Sequence, residues 1–235
     1  IKLKFPKAQW SGKVPVKLID VSKSYSDKLV LENINFELTR GDKVAFVGKN
    51  GEGKTTLAKI ISNTLDFEGE LKIGYNVTIG YYAQDQADYL DNDKTVLETV
   101  EYARGYDSSM NARTILGSFL FSDDDVFKKI KVLSGGERAR VSLCRLLNDS
   151  HNFLIMDEPT NHLDIQSKEL LKKALIEFDG TLIIVSHDRD FLSNLTTKVY
   201  EFSSKKIKEY RGDINSFLQN KNLSNVRQYE DTSNN

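Results

Sequence analysis

A glycine-rich loop that ends in lysine and threonine is the strongest chemical signal in this sequence. Residues 48–55 read Gly-Lys-Asn-Gly-Glu-Gly-Lys-Thr, which fits the pattern G-x-x-x-x-G-K-[ST]. The glycines let the backbone curl so that its N–H groups point at phosphate oxygens, and a following helix presents its positive end there. Lys54 would contact the β- and γ-phosphates of a nucleotide, and the Thr55 hydroxyl would bind Mg²⁺. The alternative is a glycine-rich turn with an exposed lysine. The residues predicted to bind nucleotide in this loop are Gly48, Asn50, Gly51, Gly53, Lys54, Thr55 and Thr56.

Two acidic residues follow an apolar segment of strand length. Residues 153–156 read Phe-Leu-Ile-Met, and Asp157 and Glu158 come directly after them. Ligands of α/β proteins bind beyond the carboxyl ends of the strands. Because consecutive strand residues point to opposite faces, the two acids are expected to differ in role. Asp157 would belong to the shell of Mg²⁺, and Glu158 would orient and deprotonate an attacking water. The alternative is a pair of solvated turn acids.

A histidine ends a second apolar segment. Residues 182–185 are followed by Ser186, His187 and Asp188. A parallel strand here would bring His187 to the same sheet edge, near the γ-phosphate, although a lone histidine is more often structural. Asp188 and Asp190 are expected to cap the following helix. No two histidines have metal-ligand spacing, so Mg²⁺ is the only metal that the sequence implies.

A second anion site is predicted at residues 134–137, which read Ser-Gly-Gly-Glu. Ser134 is well placed as the N-cap of the helix that follows. A free helix N-terminus with two glycines offers backbone N–H groups to an anion.

An α/β scaffold is needed to bring these segments together. Strand-like segments alternate with helical ones, which favours a parallel sheet. The strand-like segments are 16–21, 29–36, 44–47, 153–156 and 182–185, and the helical ones are 55–62, 139–147 and 166–178. Between about 84 and 132, apolar residues recur at helical spacing and predict a small helical lobe. Residues 71–73 and 77–82 are predicted to form a strand pair with a turn at Tyr75 and Asn76.

Composition excludes several classes of protein. The 235 residues carry 33 Lys and Arg against 34 Asp and Glu, a net charge of −1, so the chain is no simple polycation for nucleic acid. With 39% hydrophobic residues it can fill a core. The single cysteine, Cys144, excludes a disulfide framework and suits the cytoplasm. No apolar stretch approaches the roughly 20 residues that span a bilayer, so no membrane insertion is expected.

Taken together, these motifs resemble the ATP-binding-cassette (ABC) ATPases over nearly the whole chain. The resemblance implies an α/β P-loop NTPase with a mostly parallel core sheet, an antiparallel β subdomain and a small helical lobe. It also implies hydrolysis of ATP with Mg²⁺. In that family the Ser-Gly-Gly-Glu segment binds the γ-phosphate of ATP held on the opposite domain's loop, so two cassettes meet head to tail.

Further roles are carried over from the resemblance. Tyr25 looks like the aromatic residue that stacks on adenine, although many tyrosines are simply half-buried strand residues. Gln84 looks like the loop glutamine that senses Mg²⁺ and water. Residues 161–164 look like the segment that contacts the partner domain, with Asp164 its key acid. The resemblance thus implies catalytic roles for Glu158, His187 and Gln84, metal contacts for Thr55, Gln84 and Asp157, and nucleotide contacts for Tyr25, Ser134, Gly135, Gly136, Glu137 and Asp164.

The sequence of residues 157–164, Asp-Glu-Pro-Thr-Asn-His-Leu-Asp, is similar to the corresponding segment in proteins of the ABC-F branch. Its members are soluble tandem-cassette proteins that bind ribosomes, which implies translation regulation or ribosome protection against antibiotics. The first 17 residues carry five lysines and no acid, and are similar to the start of a second cassette after the linker that contacts tRNA. A solvated connector is the simpler interpretation. Ile1 in place of Met indicates a piece of a longer protein.

The expected organisation is the end of an interdomain linker (1–15), an ABC ATPase domain (16–221, helical lobe about 85–133) and a disordered tail (222–235). The expected partners are a second cassette, in the same parent chain or as a homodimer, and the ribosome and tRNA through the full-length protein.

Two other functions remain open. The nucleotide-binding subunit of a membrane transporter would share every catalytic residue. The Asn161-His162 sequence and the lysine-rich N-terminal segment weigh against a transporter subunit. The ATPase head of a DNA-repair protein would carry a coiled coil or zinc insertion. The roughly 80 residues between Lys54 and Ser134 contain no heptads or CxxC pairs.

Overall fold

The fold is described by a computed structural model for residues 5–6, 8–101 and 112–221. Its strands are β1 (Val16–Tyr25), β2 (Lys28–Leu38), β3 (Lys43–Gly48), β4 (Glu68–Ile73), β5 (Ile79–Tyr82), β6 (Phe153–Asp157), β7 (Thr181–Val185), β8 (Lys198–Ser203) and β9 (Lys206–Arg211). Its helices are α1 (Lys54–Ile61), α2 (Val96–Glu101), α3 (Ala112–Ser118), α4 (Gly135–Leu147), α5 (Ile165–Glu177) and α6 (Arg189–Leu192). Residues 214–221 are also helical.

The larger sheet positions the predicted chemistry. Its strand order is β5-β6-β7-β3-β8-β9, and every neighbouring pair except β8-β9 is parallel. All residues of β6 and β7 are buried, as expected where helices cover both faces of a parallel sheet. The prediction of a mostly parallel core sheet is confirmed.

The smaller sheet is antiparallel, with the order β2-β1-β4. The predicted pairing between residues 71–73 and 77–82 is wrong, because β4 pairs with β1 while β5 pairs with β6. The intervening turn does not fold back as a hairpin. The N–H of Gly74 donates to the Pro15 oxygen at 2.9 Å, and the N–H of Gly12 to the Tyr75 oxygen at 2.8 Å. The chain therefore crosses from one sheet to the other at this turn.

Alternating residues of β6 face two different hydrophobic clusters. Leu154 and Met156 pack with the cluster that contains α4, α5 and the lobe helices, while Phe153 and Ile155 pack with α1 and the smaller sheet. Asp157 continues the second series and therefore points toward α1. Glu158 follows the strand with a φ of 49°, so the alternation along β6 does not set the direction of its side chain.

The residues before β1 pack against the body of the protein where the structure describes them. The Phe5 ring lies 4.7 Å from the Phe178 ring, and Asn152 Nδ2 donates to the Gln9 oxygen at 2.8 Å. Pro6, Ser11 and Pro15 are buried. The segment is therefore only partly solvated, since Gln9, Trp10 and Lys13 are exposed. The predicted tail, residues 222–235, lies outside the described residues.

His151, which precedes β6, is largely buried. Its side chain is only 15% exposed, and a Cβ on Gly80 would lie 2.6 Å from its ring. The absence of a side chain at Gly80 makes room for the imidazole.

Two further features concern the lobe and membrane insertion. The predicted helical lobe contains α2 and α3, which pack against α4 around the buried side chains of Val100, Ile115 and Phe119. No helix in the described ranges combines the length and apolar character that a membrane span requires.

Candidate nucleotide-binding site

The glycine-rich loop joins β3 to α1, the strand-loop-helix setting that its pattern requires. Gly48, Gly51 and Gly53 have φ angles of 143°, 84° and 97°, a region that favours glycine. Inside the loop, Lys54 Nζ donates to the carbonyl oxygens of Gly48 and Lys49, both at 2.9 Å. Burial lowers the pKa of Lys54, and the nearby Glu158 and Asp157 carboxylates oppose that effect. The lysine thus lies where an arriving phosphate would replace its carbonyl partners.

Replacing Gly48 by alanine is expected to destabilise the protein. The new Cβ would lie 2.5 Å from the Phe202 carbonyl oxygen, a backbone atom of the adjacent strand that cannot move aside. We expect a loss of about 1–3 kcal/mol in the free energy of unfolding, measured by urea denaturation. Gly117→Ala is the control, because nothing lies within 4 Å of its position in α3. Equal stability of the two variants would contradict the strain argued for Gly48.

Asp157 is a fully buried carboxylate at the end of β6. Its residue is 0% exposed, and neither carboxylate oxygen meets hydrogen-bond geometry with any described group. Burial raises its pKa, while the neighbouring Thr55 hydroxyl and the Lys59 charge partly offset that rise. A buried carboxylate whose oxygens make no hydrogen bond of good geometry fits a metal ligand, because a cation would satisfy both oxygens.

Glu158 and His187 meet at the same edge of the sheet. The N–H of Glu158 donates to the Val185 oxygen at 2.8 Å, which ties the end of β6 to the end of β7. His187 Nε2 lies 3.0 Å from Asn50 Oδ1 and 3.6 Å from Glu158 Oε1. Burial raises the pKa of Glu158, and the adjacent His187 opposes the rise. The histidine therefore connects the glycine-rich loop to the acidic end of β6.

A cavity of about 670 Å³ collects most of the predicted residues. That volume lies in the usual range for ligand sites, about 300–1,000 Å³. The predicted residues that line it are Tyr25, Asn50, Gly51, Gly53, Lys54, Thr55, Thr56, Gln84, Asp157, Glu158 and His187. The lining also includes Lys28 and Val30, which sequence reasoning missed and for which only their closeness to Tyr25 in sequence was a signal. The hydroxyl, amide and carboxylate oxygens of Thr55, Gln84 and Asp157 are a donor set that fits Mg²⁺.

The predicted second anion site lies outside this cavity. Ser134 caps α4 through a capping box: the N–H of Glu137 donates to Ser134 Oγ at 3.3 Å, and the N–H of Ser134 donates to Glu137 Oε2 at 2.7 Å. Asp164 caps α5 by accepting from the N–H of Ser167 at 2.8 Å. Asp188 likewise caps α6, as expected, whereas Asp190 lies within the first turn of that helix and is not its cap. None of Ser134, Gly135, Gly136, Glu137 and Asp164 lines the cavity.

The two outlying segments are held together by a contact that the sequence did not predict. Arg140 Nη1 of α4 lies 3.1 Å from Asp164 Oδ2, and a Cβ on Gly136 would lie 3.1 Å from the His162 oxygen. The α4 N-terminus and the Asp164 segment therefore form one surface.

A separate cavity of about 500 Å³, lined by residues such as Trp10, Arg40 and Phe178, contains none of the predicted site residues.

This site defines an ATP-hydrolysing cassette. The chain belongs to the ABC transporter family, whose model matches residues 31–161. It is a cassette of the ABC-F type that binds ATP with Mg²⁺. It is 45% identical over 230 residues to the putative ATP-binding protein YdiF of Bacillus subtilis, covering 94% of this chain and 35% of the relative. It is 40% identical over 225 residues to ABC transporter F family member 5 of Arabidopsis thaliana, covering 95% and 32%. The chain thus spans about a third of the length of these relatives.

A solved structure supports the same conclusion. The ATP-binding cassette MJ0796, in a dimeric post-hydrolysis state with ADP and Pi bound, matches with a TM-score of 0.69 and 26% identity. The match covers 83% of this chain and 98% of that cassette. ABC cassettes function as dimers, as this solved cassette does.

Proposed function

We propose that this cassette is one half of a head-to-tail pair that hydrolyses two ATP molecules at the interface and thereby controls engagement of a ribosome in the cytoplasm. The observation that carries the pairing is the position of Ser134, Gly135 and Gly136. They offer a capped helix N-terminus at the surface but do not line the cavity of their own chain. A second cassette, in the same parent chain or as another copy, would bring its phosphates to them.

Each group of cavity residues performs a different part of ATP hydrolysis. The loop N–H groups and Lys54 bind the phosphates, and Tyr25 stacks on the base. Thr55, Gln84 and Asp157 would hold Mg²⁺, which neutralises charge that develops on the phosphate oxygens. Glu158 accepts a proton from the water whose oxygen attacks the γ-phosphorus. The bond from that phosphorus to the bridging oxygen then breaks, and ADP and phosphate are released. His187 contacts the γ-phosphate and orients Glu158.

Closure of the pair follows from differential binding. The γ-phosphate would be shared by Lys54 and His187 of one cassette and by Ser134 and Gly136 of the other. Its loss removes contacts that only the closed pair makes, so hydrolysis favours opening. The same proposal includes residues 1–15 as the end of an interdomain linker and residues 222–235 as a tail. It also includes a contact between Asp164 and the partner cassette.

The ribosome as the partner is supported by the ABC-F resemblance of residues 157–164 and by relatives that carry ABC transporter F names. The roles of tRNA and of translation regulation or antibiotic protection belong to the same proposal.

An ABC exporter with ATP bound shares the fold, with a TM-score of 0.77 at 22% identity. That likeness concerns the fold alone, so it adds no support for a transporter subunit.

Sedimentation with purified ribosomes tests the proposal. The full-length protein that carries this cassette is given the Glu158→Gln change and centrifuged with ribosomes through a sucrose cushion. We expect it to enter the ribosome pellet with ATP but not with ADP. Lys54→Ala is the matched control, because it keeps the Glu158 carboxylate but loses the phosphate contact. Pelleting that is independent of nucleotide, or absent although ATP is bound, would contradict the proposal.

A further inference from the structure

Lys23 is a buried charged side chain that plays no part in the site described above. It lies on β1, two residues before Tyr25, and only 8% of the residue is exposed. Removing an ammonium group from water is costly unless other groups compensate for the lost hydration. The groups that contact the Lys23 ammonium must therefore compensate for its lost hydration.

Two contacts hold the Lys23 ammonium in place. Nζ donates to Asp66 Oδ2 at 2.7 Å, and it lies over the Tyr25 ring at 5.3 Å from the ring centroid. The second distance is within the range of about 6 Å over which a cation is attracted to an aromatic face. The Lys23 hydrogen bond lowers the pKa of Asp66. The 5.3 Å distance places the two side chains next to each other, although the pairing of β1 with β2 shifts register between Lys23 and Ser24.

Tyr25 stands between Lys23 and the cavity in the sense that Lys23 contacts the ring and only Tyr25 borders the cavity. Tyr25 lines the cavity and is 45% exposed, whereas Lys23 does not line it. The Tyr25 hydroxyl lies 3.4 Å from Thr56 Oγ1 of α1. The ring is thus contacted by the Lys23 cation and, through its hydroxyl, by α1, while part of it remains exposed to the cavity.

We propose that Lys23 is a positioning residue for the base of the bound nucleotide, acting through Tyr25. It fixes the ring with one face toward the cavity, where a purine can stack. A ring that is ordered before binding loses less side-chain freedom when the ligand arrives. The effect of Lys23 falls on the part of the affinity that depends on the base. This inference rests on the stacking role of Tyr25 in the proposed function.

The test compares ATP with inorganic triphosphate, both with Mg²⁺, because both present phosphates to the loop but only ATP carries a base. In Lys23→Met we expect the Kd for ATP to rise about threefold to tenfold. The Kd for triphosphate and the kcat for ATP hydrolysis should be unchanged. Lys23→Arg should restore the ATP affinity, because a guanidinium can also pair with Asp66 and cover the ring.

Lys17→Met is the matched control. Lys17 also lies on β1 and is ion-paired, at 2.8 Å, with Glu37, but it is remote from the Tyr25 ring. It should leave both dissociation constants unchanged. If Lys23→Met does not fold, Asp66→Asn replaces it. Asp66 is exposed, and its loss releases the ammonium without removing Lys23 from the core. It should weaken ATP selectively as well.

Three outcomes separate the inference from the function on which it rests. Equal weakening of ATP and triphosphate by Lys23→Met would overturn the inference, since a general loss of structure or charge would then explain it. If Tyr25→Ala weakens ATP selectively but Lys23→Met does not, the Lys23 inference alone is wrong. If Tyr25→Ala has no base-dependent effect, stacking on Tyr25 is wrong and the inference falls with it. In a Tyr25→Ala background, Lys23→Met should add nothing.

Discussion

Glu158→Gln is expected to lower the kcat for ATP hydrolysis by about 10²- to 10⁴-fold while leaving the affinity for ATP nearly unchanged. Glutamine keeps the shape of the side chain but cannot accept a proton from the attacking water. The Glu158 side chain is only 14% exposed, and burial raises its pKa, which makes the carboxylate a stronger base. Lys54 and the loop N–H groups, which bind the phosphates, are untouched by this change.

Steady-state phosphate release and equilibrium binding of ATP would measure the two parts of this expectation. Glu169→Gln is the matched control, since it removes the same charge from an exposed position on α5 outside the cavity. A variant that keeps kcat within about tenfold of the unmodified protein would show that Glu158 is not the general base. Because the base must be ionised, the kcat/KM of the unmodified protein should fall as the pH drops through the raised pKa of Glu158.

Local patterns explain why much of this site could be predicted from the sequence. The glycine-rich loop is defined by adjacent residues between β3 and α1, so its form follows from the pattern itself. The same holds for the Ser134 cap, whose partner Glu137 is three residues away. The direction of the Asp157 side chain needed only the alternation along a buried strand.

Long-range contacts explain what could not be predicted. The pairing of β4 with β1 depends on which sheet edge is free, and alternation within β4 carries no such information. Lys23 meets Asp66, which lies 43 positions further along the chain. Arg140 of α4 meets Asp164 only once the fold brings the N-cap of α5 to that helix. Burial of His151 likewise depends on the absence of a side chain at Gly80 on another strand.

Asp157→Asn is expected to have opposite effects on the nucleotide-free protein and on its response to nucleotide. Burial raises the pKa of Asp157 above its unfolded value, so the charged carboxylate disfavours the fold. That penalty is present at neutral pH and disappears as the pH falls below the unfolded pKa. Asparagine carries no charge, so the free protein should gain about 1 kcal/mol, or roughly 2–4 °C in its unfolding midpoint.

The response to Mg²⁺ and ATP should be lost in the same variant. A ligand at a hundred times its Kd stabilises the folded state by about 2.7 kcal/mol, and an amide at position 157 is a poor substitute for a carboxylate ligand of Mg²⁺. Thermal unfolding with and without Mg²⁺ and ATP measures both effects in one experiment. Asp179→Asn is a matched control, because it removes an acid that lies outside the nucleotide cavity. A variant that is less stable when free yet still stabilised by Mg²⁺ and ATP would show that Asp157 serves the fold and not the metal.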